Sequence, residues 1–139
     1  MKTTANNTYR KYVCASERIK CIGSIDGLFP DFGHHLEKEM GGIWLHPIKL
    51  PDGFWLRFHD LAAENVNTWI IADRFENRPE GNRFFYRSGL GHTPVTIERD
   101  QLAPEGVNGL LVTYSLSNTS GENRPVELEF LARTDLRPV

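Results

Sequence analysis

The sequence lacks long apolar runs and has no excess of positive charge. No hydrophobic stretch approaches the roughly 20 residues that a transmembrane helix needs, and residues 1–12 lack the apolar segment of a signal peptide. The 16 Lys and Arg residues against 18 Asp and Glu residues give a net charge of −2. Because binding to phosphate requires a basic surface, this balance argues against nucleic acid and anionic membranes as partners.

Cysteine is scarce, since the chain has only Cys14 and Cys21. Two cysteines this far apart do not form the Cys pairs of a structural zinc site. If the segments around them pair as a tight hairpin, Cys14 lies opposite Ile19 and Cys21 opposite Tyr12, so that the thiols are offset neighbours. We expect two buried, reduced thiols, because free cysteine usually behaves as a small hydrophobe. A disulfide between them stays open as the alternative.

Helical patterns are also nearly absent, and only 35–40 and 60–67 can form a turn or two. Short runs rich in aromatic and β-branched residues alternate instead with clusters of Gly, Pro, Asn and Asp, which is typical of strands and turns. The candidate strands are Tyr9–Ala15, Arg18–Ser24, Gly42–Leu50, Phe54–His59, Thr68–Asp73, Arg83–Arg87, Pro94–Arg99, Gly109–Asn118 and Pro125–Arg133. So many short strands predict an all-β fold, a single antiparallel β-sandwich domain over 1–139.

The last two candidate strands show the clearest alternation of apolar and polar residues. Apolar side chains share one face of each strand: Leu110, Val112, Tyr114 and Leu116 on the first, and Val126, Leu128, Phe130 and Ala132 on the second. The connection "TSGENRP" suits a hairpin, so we expect the two strands to be neighbours in one sheet. The charge-rich segments "VTIERDQL" and "RFENRPEGNRFFYR" are typical of the outer faces of strands.

The segment "FPDFGHHLEKEMGGIWLHP" is the densest group of chemically active residues. His34 and His35 are adjacent, and adjacent residues of an extended strand point to opposite faces, so they do not bind one metal together. Asp31 and His46 have no partner at metal-binding spacing, and no HExxH motif is present. We therefore expect no metal and no cofactor. The segment resembles a long ordered loop that leads into a strand and faces a neighbouring domain.

Catalytic patterns are missing as well. Glycoside hydrolysis needs two carboxyl groups on either side of a bond, and nothing in the sequence pairs Asp31, Glu37, Glu39 or Asp52. No GxSxG motif is present, and neither cysteine has a recognisable catalytic context. We expect no catalytic residue in this chain.

Two tryptophans leave two interpretations open. Trp44 precedes the sequence "KLPDGFW" and Trp55 is its last residue, and this sequence is typical of a turn between adjacent strands. If both rings are exposed on one face, they form a platform on which sugar rings stack, with His46 nearby as a hydrogen-bonding group. Otherwise they pack in the core or against another domain, which is the usual fate of Trp.

Two stretches resemble the N-terminal β-sandwich of glycoside hydrolases of the glucosidase and glycogen-debranching type. One is "CIGSIDGLFPDFGHHLEKEMGGIWLHPIKLPDGFW", and the other is "GLLVTYSLSNTSGENRPVELEFLARTDLRPV". Together they cover about half of the chain. The abrupt end at "LARTDLRPV", where apolar residues are still arriving, is consistent with a domain taken from a longer enzyme.

The resemblance implies a non-catalytic domain that packs on an (α/α)6 barrel of the same polypeptide. That barrel, acting on α-glucosidic linkages, would hold both catalytic carboxylates. The sandwich would then shape the substrate entrance, with Asp31, His34, His35, Trp44, His46 and Trp55 as candidate contacts to oligosaccharide or to the barrel. The alternative is a free-standing carbohydrate-binding module that uses exposed Trp residues. The location follows the parent, which would be periplasmic or secreted if it carries a signal peptide.

Overall fold

A computed structural model describes residues 10–29, 41–62, 70–87, 90 and 93–138, the last four of these without their side chains. Within these ranges the chain contains strands and no α-helix. The strands are β1 (Lys11–Ala15), β2 (Ile19–Ser24), β3 (Gly42–Leu45), β4 (Ile48–Asp60), β5 (Arg74–Arg78), β6 (Gly81–Tyr86), β7 (Val95–Leu102), β8 (Leu111–Asn118) and β9 (Val126–Pro138).

The strands form two antiparallel sheets that pack face to face. One sheet has the order β1-β2-β3-β4-β9, and the other has the order β5-β6-β7-β8. The core between them is aromatic and aliphatic, with Ile19, Phe58, Phe84, Tyr86 and Ile97 among its most buried side chains. The predicted antiparallel β-sandwich is therefore confirmed.

Trp44 and Trp55 lie on adjacent strands, β3 and β4, but the turn expected at "PDG", residues 51–53, is absent. The chain reverses earlier, at the cis peptide bond between His46 and Pro47, and β4 runs through the "PDG" sequence as one long strand. Pro51 and Gly53 are accommodated there by shifts in the register with β9. Pro51 and Gly53 thus mark an irregularity inside β4, where it pairs with the edge strand β9, and do not mark the end of β4.

The predicted break at 76–82 is also shorter than its composition indicates. Most of it belongs to β5 and β6, which pair as a tight hairpin with Arg78 directly opposite Gly81. Gly81 has a φ of +152°, and an added Cβ would run into the Gln101 carbonyl oxygen. The expected strand at Thr68–Asp73 is not found in its described part, residues 70–73.

The last two strands are not neighbours, and that prediction is wrong. β8 pairs with β7 in one sheet, and β9 pairs with β4 in the other. The connection between them crosses from sheet to sheet, held by the hydrogen bonds from Thr119 N to Pro94 O and from Leu61 N to Pro125 O. A period of two fixes which face of a strand is apolar but does not choose the strand beside it.

The two cysteines lie directly opposite each other on β1 and β2. The expected offset is wrong because the hairpin turn lies one residue later, and the closing hydrogen bond joins Ser16 N to Ile19 O at 2.9 Å. Both cysteines are buried free thiols, as the sequence predicted.

Candidate functional site

Of the site residues predicted from the sequence, Asp31, His34 and His35 lie outside the described residues. The other three are spread over β3, β4 and the turn between them. His46 is exposed, Trp44 is half-buried, and Trp55 is only 7% exposed. The three side chains therefore do not form one exposed site, because Trp55 is buried.

The ring of Trp44 is engaged by a cation. Lys49, directly opposite on β4, places Nζ 5.6 Å from the ring centroid and 2.9 Å from Asp52 Oδ1. A cation held over an indole by a carboxylate is a structural contact that also restricts access to that face of the ring. Trp44 is nevertheless only half-buried, and of the two described tryptophans it is the one that a ligand could reach.

Trp55 follows the packing interpretation. Its ring lies 6.2 Å from that of Phe29 in an edge-to-face arrangement, and Phe29 in turn packs on Phe54 at 4.9 Å. Because Trp55 is buried, the pair of exposed Trp rings that the carbohydrate-binding alternative required does not form. Sequence alone could not exclude that pair, because it did not show that β4 is continuous through residues 51–53.

A buried polar cluster between the sheets is the main feature that the sequence analysis missed. Arg99 of β7 is 3% exposed, and its guanidinium carbon lies 3.8 Å from the centroid of the Phe84 ring. Nη1 donates to the Gly27 carbonyl at 3.1 Å. The strict alternation of β7 carries the signal, since Val95, Ile97 and Arg99 occupy one face. That face is buried, and "VTIERDQL" is therefore not simply an outer-face segment.

A second group of polar contacts adjoins Arg99 on the same strand. Gln101, 1% exposed, donates from Nε2 to the Tyr12 hydroxyl at 3.0 Å and to Cys21 Sγ at 3.3 Å. Burial raises the pKa of the Cys21 thiol to about 12 and raises that of Tyr12 well above its usual value. Both groups therefore stay protonated at neutral pH, and the network ties β1 and β2 to the opposite sheet.

A cleft of about 390 Å³ opens at one end of the sandwich, between the β1–β2 turn, the β5–β6 turn and the residues after β7. Its lining includes Glu17, Glu80 and Glu105, all exposed, and the buried Cys14 and Asn82. Burial raises the pKa of Cys14 as well, so the thiol that borders this cleft is not a ready nucleophile.

Within the part of the chain that the structure describes, no group of three or more His, Cys, Asp or Glu side chains is placed to hold a metal ion. The same residues include no helix long and apolar enough to cross a membrane. No protein-family model, curated protein or solved structure matches the chain.

Proposed function

We propose that this chain is a non-catalytic β-sandwich domain that supports and binds other molecules and performs no reaction of its own. One observation carries the proposal: the cluster of tyrosine, cysteine and arginine side chains between the sheets is sealed in the core. Tyr12, Cys21 and Arg99 are 4%, 0% and 3% exposed. A group that substrate cannot reach does not transfer a proton or form a covalent intermediate.

The resemblance to debranching-type enzymes supplies the setting of this proposal. The domain would pack on an (α/α)6 barrel of the same polypeptide, and that barrel would hydrolyse α-glucosidic linkages. The side that faces the barrel would be the one that carries the turn between β3 and β4. Support comes from the exposed His46 and the half-buried Trp44 in and beside that turn, which leave a polar and an aromatic group accessible there.

The first test is an activity assay of the isolated chain. We expect no release of glucose from maltose, isomaltose or glycogen at protein concentrations far above those of an active glycosidase. Turnover that follows the purified chain through gel filtration would refute the non-catalytic assignment.

The second test asks whether the accessible tryptophan contacts sugar. Titration of the chain with malto-oligosaccharides is followed by tryptophan fluorescence in the wild type and in Trp44→Phe. A saturable change that is lost in Trp44→Phe would place oligosaccharide at this surface. A flat titration leaves the packing role alone and removes direct sugar binding from the proposal.

A further inference from the structure

One edge of the sandwich, formed by β8 and β9, is open. Leu116 and Phe130 alternate with the outward-facing residues of these strands and point between the sheets, yet they are 40% and 56% exposed. On the opposite edge the corresponding inward residue of β1, Tyr12, is only 4% exposed. Among the residues that the structure describes, the edge at β1 is therefore covered and the edge at β8 and β9 is not.

The two exposed side chains lie at the same level of the sandwich. β7 lies over β4. Arg99 of β7 approaches the Phe54 ring of β4 at 5.3 Å, and the side chain of Thr93, two residues before β7, hydrogen-bonds to Asp60, the last residue of β4. The registers of β7 with β8 and of β4 with β9 carry this alignment outward. They place Leu116 level with Phe130, so that the two form one apolar patch across the gap between the sheets.

The backbone of β8 at this edge also lacks the residues that usually prevent pairing with another strand. Among the described strands, β8 pairs only with β7, and its sequence "LVTYSLSN" contains no charged residue, proline or glycine. Natural edge strands are usually blunted by such residues. The other edge of the same sheet follows that rule, since β5 carries Arg74, Glu76 and Arg78. The edge at β8 therefore offers a template for a further strand.

We propose that a second copy of this chain closes the open edge, with β8 and β9 each pairing antiparallel with its own copy across a two-fold axis. The carbonyl of Leu56 accepts from Ile70 N and so points away from β9. Because Leu56 is opposite Phe130, the backbone N–H and C=O of Phe130 point away from β4, to an edge at which no other described strand pairs. They are therefore available to pair with Phe130 of the second copy.

Charge complementarity supports this register. When Phe130 pairs with itself, Glu127 of one copy lies directly opposite Arg133 of the other, and the two-fold axis makes this contact twice. Arg133 Nε lies 3.9 Å from Asp52 Oδ2 of its own chain, so that Glu127 of the second copy would join an existing ion pair. On the inner side, Phe130 and Leu116 of both copies meet at the axis. An apolar centre flanked by opposite charges is the arrangement expected of a stable interface.

The presence of two strand edges side by side supports a second copy as the occupant. In this register nine residues of β9, 126–134, and five residues of β8, 114–118, pair with the same residues of the second copy. A single added strand would pair with only one of these edges. A second copy pairs with both edges at once and covers both exposed side chains.

The first experiment is sedimentation velocity over a concentration series. We expect the wild-type chain to sediment as a dimer and Phe130→Asp as a monomer, with a dissociation constant raised by about 30-fold or more, as for a central aromatic residue. Val13→Asp is the matched control, because Val13 is 57% exposed on β1 at the opposite edge. Circular dichroism confirms that each variant is folded. A monomeric wild type, or equal dissociation in the two variants, would overturn the proposal.

The second experiment tests the register by charge reversal. Glu127→Arg and Arg133→Glu should each weaken the dimer by placing like charges opposite each other, and the double variant should restore it. Because an incidental apolar contact would not show this rescue, a double variant as weak as the single ones would contradict the pairing of β9 with its copy. The outcome is independent of whether the chain supports a glycoside hydrolase.

Discussion

Replacing the buried Arg99 by methionine should leave most of the stability of the sandwich in place. The methionine side chain is unbranched and fills a similar path between the sheets without a charge. Arg99 Nε and Nη2 are buried and have no hydrogen-bond partner. Burial works to lower the pKa of Arg99, but the neighbouring Tyr86, Tyr12 and Tyr114 raise it, and Tyr114 also interacts with the guanidinium through a side-chain hydrogen bond. Arg99 is therefore a desolvated cation stabilised by aromatic rings and by one carbonyl.

The free-energy terms of Arg99→Met nearly offset each other. The variant loses a cation–π contact worth about 2 kcal/mol when desolvated and leaves the Gly27 carbonyl unsatisfied, at about 1–3 kcal/mol. It also removes the desolvation cost of a buried cation, several kcal/mol, and two unsatisfied donors. We expect its free energy of unfolding to lie within about 2 kcal/mol of the wild type.

Alanine at the same position separates charge from volume. Arg99→Ala removes the same interactions and also leaves a cavity between the sheets, which adds about 2–5 kcal/mol of destabilisation. Urea unfolding followed by tryptophan fluorescence gives both values. Arg83→Met is the control, since Arg83 binds Asp100 through Nη2 at 2.6 Å on the partly exposed outer face and should lose about 1 kcal/mol or less. If Arg99→Met were as unstable as Arg99→Ala, the arginine charge would itself be stabilising, and the reasoning would fail.

Two further predictions concern pH, and a third concerns the ion pair of Asp60. Because the pKa of Cys21 is raised to about 12 from an ordinary thiol value of about 8.5, the unfolded chain loses its proton first. The stability that Cys21 contributes is therefore complete when the pH is below the ordinary thiol pKa, and it falls by about 1.4 kcal/mol per pH unit above it. Cys21→Ala should flatten this decrease in the free energy of unfolding, measured by urea unfolding at a series of pH values. An unchanged decrease would exclude Cys21 as its source. Asp60 behaves in the opposite sense: burial works to raise its pKa, but hydrogen bonds from Thr93, Arg124 and Ala62 lower it. The stability that Asp60 contributes is present above the ordinary carboxyl pKa and is lost as the pH falls below about 4, so that Asp60→Asn should show a shallower acid transition by circular dichroism; an equally steep one would assign acid unfolding to other groups. Asp60→Ala should cost about 1–3 kcal/mol at neutral pH, because it removes a charge-assisted hydrogen bond of 2.7 Å to the partly exposed Arg124, and the absence of a measurable loss would show that the pair is solvated.

The sequence by itself determined the fold class and indicated that both cysteines are buried. Short strands with period two and turn residues between them required sheets with one buried face, and two scarce cysteines in such strands were buried as thiols. These properties are local, since each depends on the alternation of a few residues along one strand.

Tertiary structure decided which strands are neighbours and which polar residues are buried. The sequence placed β8 and β9 side by side, whereas each pairs in a different sheet, because a strand with one apolar face can pack beside several partners. The pairing of β4 with β9 likewise makes "PDG" part of a strand where the sequence indicated a turn, and Trp55 is buried in the assembled sandwich.

Arg99 shows most clearly what only the assembled sandwich decides. Its charge made an outer-face position the natural expectation, but the register of β7 with its neighbours commits every second residue to the core, and aromatic rings from both sheets make burial of the guanidinium tolerable. The open edge at Leu116 and Phe130 depends on the same pairing, because the exposure of an apolar residue is set by what lies across the gap between the sheets.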